Sequence, residues 1–211
     1  MVNITKETES YINNHPFIKQ GIENNIINYS KLARMISKEK EINNFDAILV
    51  ACRRYFDRLN RSKFSFPIME VLKNSKLSIR SNIVVIILEP DIKFKTILEL
   101  QKEIDSKNEI MHVVRGSNAI TLITTDDFLK KIENTFKEDI LKISKNLVEI
   151  VLKSSAKLEM IPGVMGHICS ILGENDVNII ETSSCWTDTI IVIKKEHLAK
   201  TMELFDFKVE E

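Results

Sequence analysis

The order of strand and helix patterns from residue 77 onward occurs twice, and this repeat constrains the fold most strongly in the 211-residue chain. In the first copy, the β-branched run IVVIIL at residues 83–88 precedes a helical pattern, two short strand patterns and a second helical pattern. In the second copy, LVEIVLK at residues 147–153 begins the same order, which ends in the short strand pattern DFKVE. Two βαββαβ units are the simplest interpretation.

Each βαββαβ unit predicts a four-stranded antiparallel sheet with two helices on one face, which is a ferredoxin-like sandwich. A unit of this size is marginally stable alone, and its free edge and exposed sheet face favour pairing with a second unit, within the chain or across a dimer. We therefore predict an α+β chain with a helical domain at residues 1–76 and two βαββαβ units at residues 77–145 and 146–211.

The first 75 residues contain helical patterns and no convincing strand. The clearest pattern has one apolar stripe, which must be buried and consists of Phe45, Ile48, Leu49, Cys52, Phe56 and Leu59. We place Ala51 on the opposite face, with three arginines, Arg54, Arg58 and Arg61. Together with the preceding helical pattern, this segment could form a helix-turn-helix whose arginines contact DNA. A solvated surface or a docking face for a protein explains the arginines as well.

Charge is distributed unevenly along the chain. Residues 1–76 contain 13 Lys and Arg against 8 Asp and Glu, whereas the remainder contains 17 against 22, giving +5 and −5. Clustered charge affects which partners a domain attracts, so the two regions are predicted to contact different partners.

The cysteines and the hydropathy pattern indicate a cytoplasmic protein. Cys52, Cys169 and Cys185 are far apart and lack CxxC spacing, which argues against a disulfide framework and a thiolate metal site. We expect Cys169 to be a small core residue, because it adjoins apolar positions of a predicted helix. No stretch approaches the ~18 apolar residues that a membrane-spanning helix needs.

The stretch EMIPGVMGHICSILGENDVNIIE, residues 159–181, contains one of the chain's four prolines and three of its five glycines. Pro162 fits the first turn of a helix, and Gly163 and Gly166 leave that turn without side chains, so a ligand can approach its N–H groups. Those donors and the positive end of the helix dipole suit a carboxylate. Asn178 adds a donor and an acceptor, so the stretch predicts a site for a zwitterion.

The stretch IPGVMGHICSILGENDVNIIETSSCWTDTIIVIKKEHLAK resembles an ACT domain, the amino-acid-sensing module of aspartokinases and other enzymes of amino-acid metabolism. The resemblance is to the aspartokinase type, through the Pro-Gly-Val loop, the Asn-Ile pair and the Ser-Cys-Trp-Thr-Asp-Thr hairpin. It covers residues 146–205 in sequence and residues 80–145 only in element order. The whole chain resembles small archaeal stand-alone ACT proteins that carry an N-terminal helical segment.

In ACT domains the effector sits between two units, held by the loop before the first helix of one unit and by the start of the second strand of the other. By position, the resemblance implicates Ile161, Gly163, Val164, Met165, Asn178 and Ile179. The first unit departs from the ACT pattern, because its loop LEPDIKFK keeps Pro90 but has Asp91 and Lys93 where the second unit exposes backbone. We therefore expect a degenerate first unit that serves as a structural partner.

The sequence shows no pattern typical of an enzyme. It has no GxxxxGK[ST] motif, its four histidines lack metal-ligand spacing, and Cys185 has no accompanying base. We expect Trp186 to pack at an interface between units. The prediction is a non-enzymatic regulatory homodimer without cofactor or metal, which binds an amino acid or a similar effector. Effector binding is expected to control DNA binding by the helical segment. Alternatively, the protein modulates a biosynthetic enzyme such as an aspartokinase by protein contact, without DNA binding.

Overall fold

The computed structural model describes residues 3–59 and 66–207. The chain divides into two compact units, one ending at Phe66 and the other beginning at Pro67. The described part of the first unit is helical and contains α1 (Ile4–Asn13), α2 (Pro16–Glu23), α3 (Tyr29–Glu39) and α4 (Phe45–Leu59). The second unit is built around one antiparallel sheet.

Helix α4 lies at the centre of the helical unit, where it packs on both α1 and α3. Its predicted apolar stripe is confirmed, since Ile48 and Cys52 are fully buried and the other stripe residues pack against the same core. The placement of Ala51 on the exposed face was wrong, because only 2% of Ala51 is exposed. The buried face is wider than the sequence indicated, since α4 contacts helices on two sides.

The second unit contains a six-stranded sheet in the order β2-β3-β1-β4-β6-β5, with helices between the strands. Its strands are β1 (Lys76–Leu88), β2 (Met111–Arg115), β3 (Ile120–Thr125), β4 (Ile140–Lys153), β5 (Ile179–Cys185) and β6 (Asp188–Lys194). Its helices are α5 (Phe66–Lys73), α6 (Phe94–Ser106), α7 (Leu129–Phe136), α8 (Val164–Glu174) and α9 (Leu198–Leu204). Helix α5 falls within the predicted 1–76 domain, and its Leu72 packs in the core beneath α8 and α9.

The two central strands, β1 and β4, are longer than predicted and pair with each other along most of their length. The second half of β1 also pairs with β3, and the second half of β4 also pairs with β6. The sheet can thus be divided into two overlapping sets of four strands, β2-β3-β1-β4 and β5-β6-β4-β1, which share β1 and β4. Both strand orders are compatible with ferredoxin-like units. The first half of β1 lies where the strand DFKVE was expected, and residues 208–210 of that strand are outside the described residues.

The pairing of β1 with β4 is symmetric about Ile83 and Leu147, which face each other. Asn82 and Asn146 precede these residues, and both adopt a left-handed backbone with φ of 58°. Asparagine tolerates this conformation better than most residues, and the register shifts beside Ile83 indicate a bulge in the ladder. A bulge bends a strand, so both central strands bend near the same point.

The sheet has a separate core on each side. Helices α6 and α7 cover one half of the first face, and α5, α8 and α9 cover the other half. On the opposite face, side chains of four strands form a third core, which consists of Ile83, Val85, Ile123, Leu147 and Val192. These residues are at most 2% exposed, which shows that this face is folded upon itself. We call it the concave face.

A carboxylate is buried on the concave face. Glu149 of β4 is fully buried, and it accepts hydrogen bonds from Arg80 Nη1 of β1 at 2.5 Å and His112 Nε2 of β2 at 2.8 Å. Because β2 is separated from β4 by two strands, this contact requires the curl of the sheet. Burial acts to raise the pKa of Glu149, but the hydrogen bonds from His112 and Arg80 outweigh it and lower the pKa below its usual value.

Candidate functional site

The backbone before α8 leaves the first turn of this helix uncapped. Gly163 is the residue preceding the helix, it has a left-handed φ of 93°, and no side chain caps the helix. Pro162 lies before the helix and outside its first turn, so its predicted position was wrong by two residues. The N–H groups of a first helical turn have no partner inside the helix, and here they can be bonded by a ligand.

A cavity of about 280 Å³ opens beside this helix start. It is lined by Leu158, Glu159, Ile161, Gly163, Val164, Met165, Gly166, Ser184 and Trp186. The cavity therefore brings together the four loop residues named from the sequence, Ile161, Gly163, Val164 and Met165. We call it the α8 cavity.

The two glycines of the α8 cavity have different roles. A Cβ atom on Gly163 would lie 3.5 Å from Ile68 Cδ1, and the positive φ would strain any other residue there. A Cβ atom on Gly166 would meet no atom within 4 Å. Gly163 is thus required by the backbone, whereas Gly166 keeps the space beside the helix open.

The two strand residues named from the sequence lie outside the α8 cavity. Asn178 is exposed just before β5, and Ile179 is half-buried against the core under α8. Strand β5 is at the edge of the sheet, so the backbone at its start borders an unpaired edge in the single chain.

Trp186 is a lining residue that the sequence reasoning did not assign to the site. It is 66% exposed, and with Thr187 it forms the turn between the paired residues Cys185 and Asp188. Ser154 N–H donates to the carbonyl of Thr187 at 2.9 Å, which holds this turn beside the loop that follows β4. The Ser-Cys-Trp-Thr-Asp-Thr hairpin of the ACT resemblance was the available sequence signal, because its Trp186 lines the same cavity as the Pro-Gly-Val loop.

The corresponding loop of the first half has more side chains. Lys93 precedes α6 and makes no capping hydrogen bond through its side chain. Asp91 and Lys93 are exposed, and Phe94 is the first residue of the helix. The residue before the helix is Lys93 in this loop, whereas it is Gly163 in the second loop.

The arginines named as DNA contacts have different surroundings. Arg54 is exposed on α4. Arg58 Nη2 forms an ion pair with Glu9 Oε1 at 2.6 Å, and its guanidinium lies 5.6 Å from the ring centre of Tyr55. Arg61 lies outside the described residues. Of the two that are described, Arg58 is thus engaged within the helical unit, whereas Arg54 is exposed.

The cysteines and histidines do not form a reactive site within the described part of the chain. Cys169 is exposed, which corrects its predicted core position, because the buried face of α8 consists of Val164, Ile168 and Leu172. Cys52 is buried, and burial raises the pKa of its thiol to about 11. Among residues 3–59 and 66–207, no three His, Cys, Asp or Glu side chains are placed to hold a metal ion. No helix in those ranges combines the length and apolar character needed to span a membrane.

Comparison with known proteins gives structural matches only. No protein-family model matches the sequence, and no curated protein matches it by sequence comparison. The fold is similar to the regulatory subunit of aspartate kinase from Thermus thermophilus, with a TM-score of 0.50 and 12% identity over 65% of this chain and 97% of that one. It is also similar to aspartate kinase from Clostridium acetobutylicum, with a TM-score of 0.51 and 15% identity over 63% of this chain.

These matches define the class of fold, which is that of the ACT-type regulatory domains of aspartate kinases. The chain spans only 33% of the Clostridium enzyme and 35% of Escherichia coli aspartokinase III, which matches with a TM-score of 0.50. The Thermus regulatory subunit, by contrast, is covered almost completely. The similarity therefore corresponds to the regulatory, non-catalytic part of these enzymes.

Proposed function

We propose that this protein is a non-enzymatic regulator that binds an amino acid or a similar small zwitterion in the α8 cavity. The observation that carries this proposal is the uncapped start of α8 opening into a cavity of about 280 Å³. This volume is close to the lower end of the usual range of ligand pockets, about 300–1,000 Å³, and suits a small metabolite. The free N–H groups at Val164 and Met165 would bind the ligand's carboxylate.

A second copy of the chain is proposed to complete the site. Asn178 is exposed at the start of edge strand β5, where its amide can donate to and accept from a ligand held by another chain. Ile179 would then position that strand through its packing against the core. A ligand bound between two copies would stabilise one mutual arrangement to the extent that it binds that arrangement more tightly. Cytoplasmic location is supported by the exposed free thiols of Cys169 and Cys185.

The first test is a thermal-shift screen of the amino acids on the wild-type chain and on Gly166→Leu. We expect at least one amino acid to raise the melting temperature of the wild type, and Gly166→Leu to weaken its binding about tenfold or more. The leucine side chain would enter the cavity without backbone strain, because nothing lies within 4 Å of the new Cβ atom.

Gly173→Leu is the matched control for Gly166→Leu. Gly173 lies on the same helix, it is exposed, and an added Cβ atom there also meets nothing within 4 Å. The control variant should respond to the ligand like the wild type. If no amino acid shifts the wild type, or if both variants bind equally well, the α8 cavity is not an amino-acid site.

The target of regulation has two candidates, and the charges on α3 and α4 favour DNA. Lys31, Arg34 and Lys38 are exposed along α3, and Arg53 and Arg54 are exposed on α4. Such positive side chains on adjacent helices can contact phosphates of a duplex. The alternative is that the protein acts on a biosynthetic enzyme such as an aspartokinase by protein contact, without DNA.

The second test is an electrophoretic mobility shift assay with duplex DNA at low and moderate salt. We expect the wild type to bind with an affinity that falls as salt increases, and Arg54→Glu to weaken binding about tenfold or more. Lys6→Glu on α1 makes the same charge change at another exposed position and should bind nearly as the wild type does. Absence of binding at low salt would reject the DNA role and leave the protein-contact alternative.

A further inference from the structure

The concave face contains two related clefts, one on each side of the symmetric pairing of β1 with β4. In this register Arg80 stands opposite Glu149 on one side of the centre, and Ser144 stands opposite Val85 on the other. Val85 thus occupies the position in the second cleft that Glu149 occupies in the first. The two clefts have the same backbone arrangement but different side chains.

The first cleft is filled by a carboxylate of the chain itself. Glu149 is fully buried there. Its carboxylate oxygens are hydrogen-bonded to Arg80 Nη1 at 2.5 Å and to His112 Nε2 at 2.8 Å. The positive side chains on this side of the concave face therefore have an internal anion. Buried charges are stable in proteins when they are paired and hydrogen-bonded in this way.

In the second cleft the equivalent position holds the apolar side chain of Val85 instead of a carboxylate. A cavity of about 460 Å³ lies on this side of the sheet, with Leu147 and Ile180 of the concave core in its lining. Four lysines, Lys142, Lys145, Lys194 and Lys195, also line it, together with a single acidic side chain, Glu196. We call it the lysine cavity.

The acidic groups near the lysine cavity do not neutralise it. Lys145 Nζ lies 3.8 Å from Glu133 Oε1, and Lys194 Nζ lies 3.3 Å from Glu196 Oε1. All four side chains are at least 40% exposed. Exposed pairs of this kind contribute little energy, so each lysine can turn to another anion at small cost. Lys142 of β4 interacts electrostatically with Glu181 of β5, which β6 separates from β4 in the sheet, and Lys195 is exposed just after β6.

We propose that the lysine cavity binds a small metabolite with two or more anionic groups, either carboxylates or phosphates. The several ammonium groups suit a multivalent anion, since no single charge could satisfy them all. The half-buried side chain of Ile180 would contact the carbon skeleton of such a ligand. The site lies on the opposite face of the sheet from the core beneath α8, so it is separate from the proposed amino-acid site.

The proposal is tested by calorimetric titration of the wild-type chain at low ionic strength, with citrate as the polycarboxylate probe and pyrophosphate as the phosphate probe. We expect at least one probe to bind with a dissociation constant below about 1 mM. Lys142→Ala/Lys195→Ala should weaken that binding about tenfold or more, and added salt should weaken it in the wild type. A preference for citrate or for pyrophosphate identifies which anionic group the cavity accepts.

Lys102→Ala/Lys130→Ala is the control for the change of net charge. Both lysines are exposed, they lie on α6 and α7 of the other half, and their loss removes the same two charges. This control should bind the probe within about twofold of the wild type, as should Gly166→Leu, whose substitution lies in the α8 cavity. If neither probe binds, or if the control loses as much affinity as Lys142→Ala/Lys195→Ala, the lysine cavity is not an anion site.

Discussion

Replacement of Arg80 by alanine is expected to lower the free energy of unfolding by about 3 kcal/mol, because it leaves the buried carboxylate of Glu149 without its permanently charged partner. Glu149 is fully buried, whereas Arg80 reaches the surface. Water that enters the space of the lost side chain solvates the carboxylate only partly, so the loss lies at the lower end for a broken buried pair. His112 would remain as a donor, at 2.8 Å in the wild type, which limits the loss. Urea denaturation at neutral pH measures the difference.

Arg115→Ala provides the comparison for Arg80→Ala. Arg115 ends the edge strand β2 and is exposed, so its loss should change the stability by no more than about 0.5 kcal/mol. Equal effects of the two substitutions would show that the Arg80–Glu149 pair contributes nothing beyond an ordinary surface arginine. Glu149→Leu removes the buried charge itself and should therefore cost less than Arg80→Ala.

The pH dependence of this difference follows from the lowered pKa of Glu149. Its ordinary value is 4.5, and the folded value lies below that. Glu149 therefore contributes its full stabilisation above pH 4.5 and loses it as the pH falls through the folded pKa. The stability of the wild type and that of Arg80→Ala should converge in this acidic range.

The elements with strong local patterns could be predicted from the sequence. The apolar spacing from Phe45 predicted the buried stripe of α4, and the β-branched runs at residues 83–88 and 147–153 predicted the buried halves of β1 and β4. The strand segments are buried on both faces and the helix is buried along one stripe. Their hydrophobic pattern therefore predicts both the type of element and its buried residues.

The first halves of β1 and β4 were not predicted, because polar residues interrupt them. KLSIRSN and ILKISKN alternate polar and apolar residues, which is typical of a strand with one exposed face. Both end in an asparagine at positive φ, Asn82 and Asn146. This shared pattern was a signal of the long paired strands, but their pairing with each other depends on contacts between residues far apart in sequence.

The α8 cavity was predicted only in part. The loop residues Ile161 to Met165 were found because glycines mark a backbone that approaches a ligand. Trp186 was missed because its position depends on the hairpin lying beside the loop after β4, which the Ser154–Thr187 hydrogen bond shows. Contacts of this kind join distant segments and leave no periodic pattern in the sequence.

Leu147→Ala is expected to lower the free energy of unfolding by about 2–5 kcal/mol, since it opens a void at the centre of the paired strands. Leu147 is 1% exposed, it faces Ile83 across the β1–β4 ladder, and it packs with Val85 and Val192 on the concave face. Leu141→Ala changes the same residue type on the same strand, where the side chain is 52% exposed, and should cost less than about 1 kcal/mol. Both variants are compared with the wild type by urea denaturation.

Because both halves of the sheet share β1 and β4, unfolding of Leu147→Ala should remain one cooperative transition. A small loss of stability, or two separate transitions in the sheet unit, would contradict a shared core at this position.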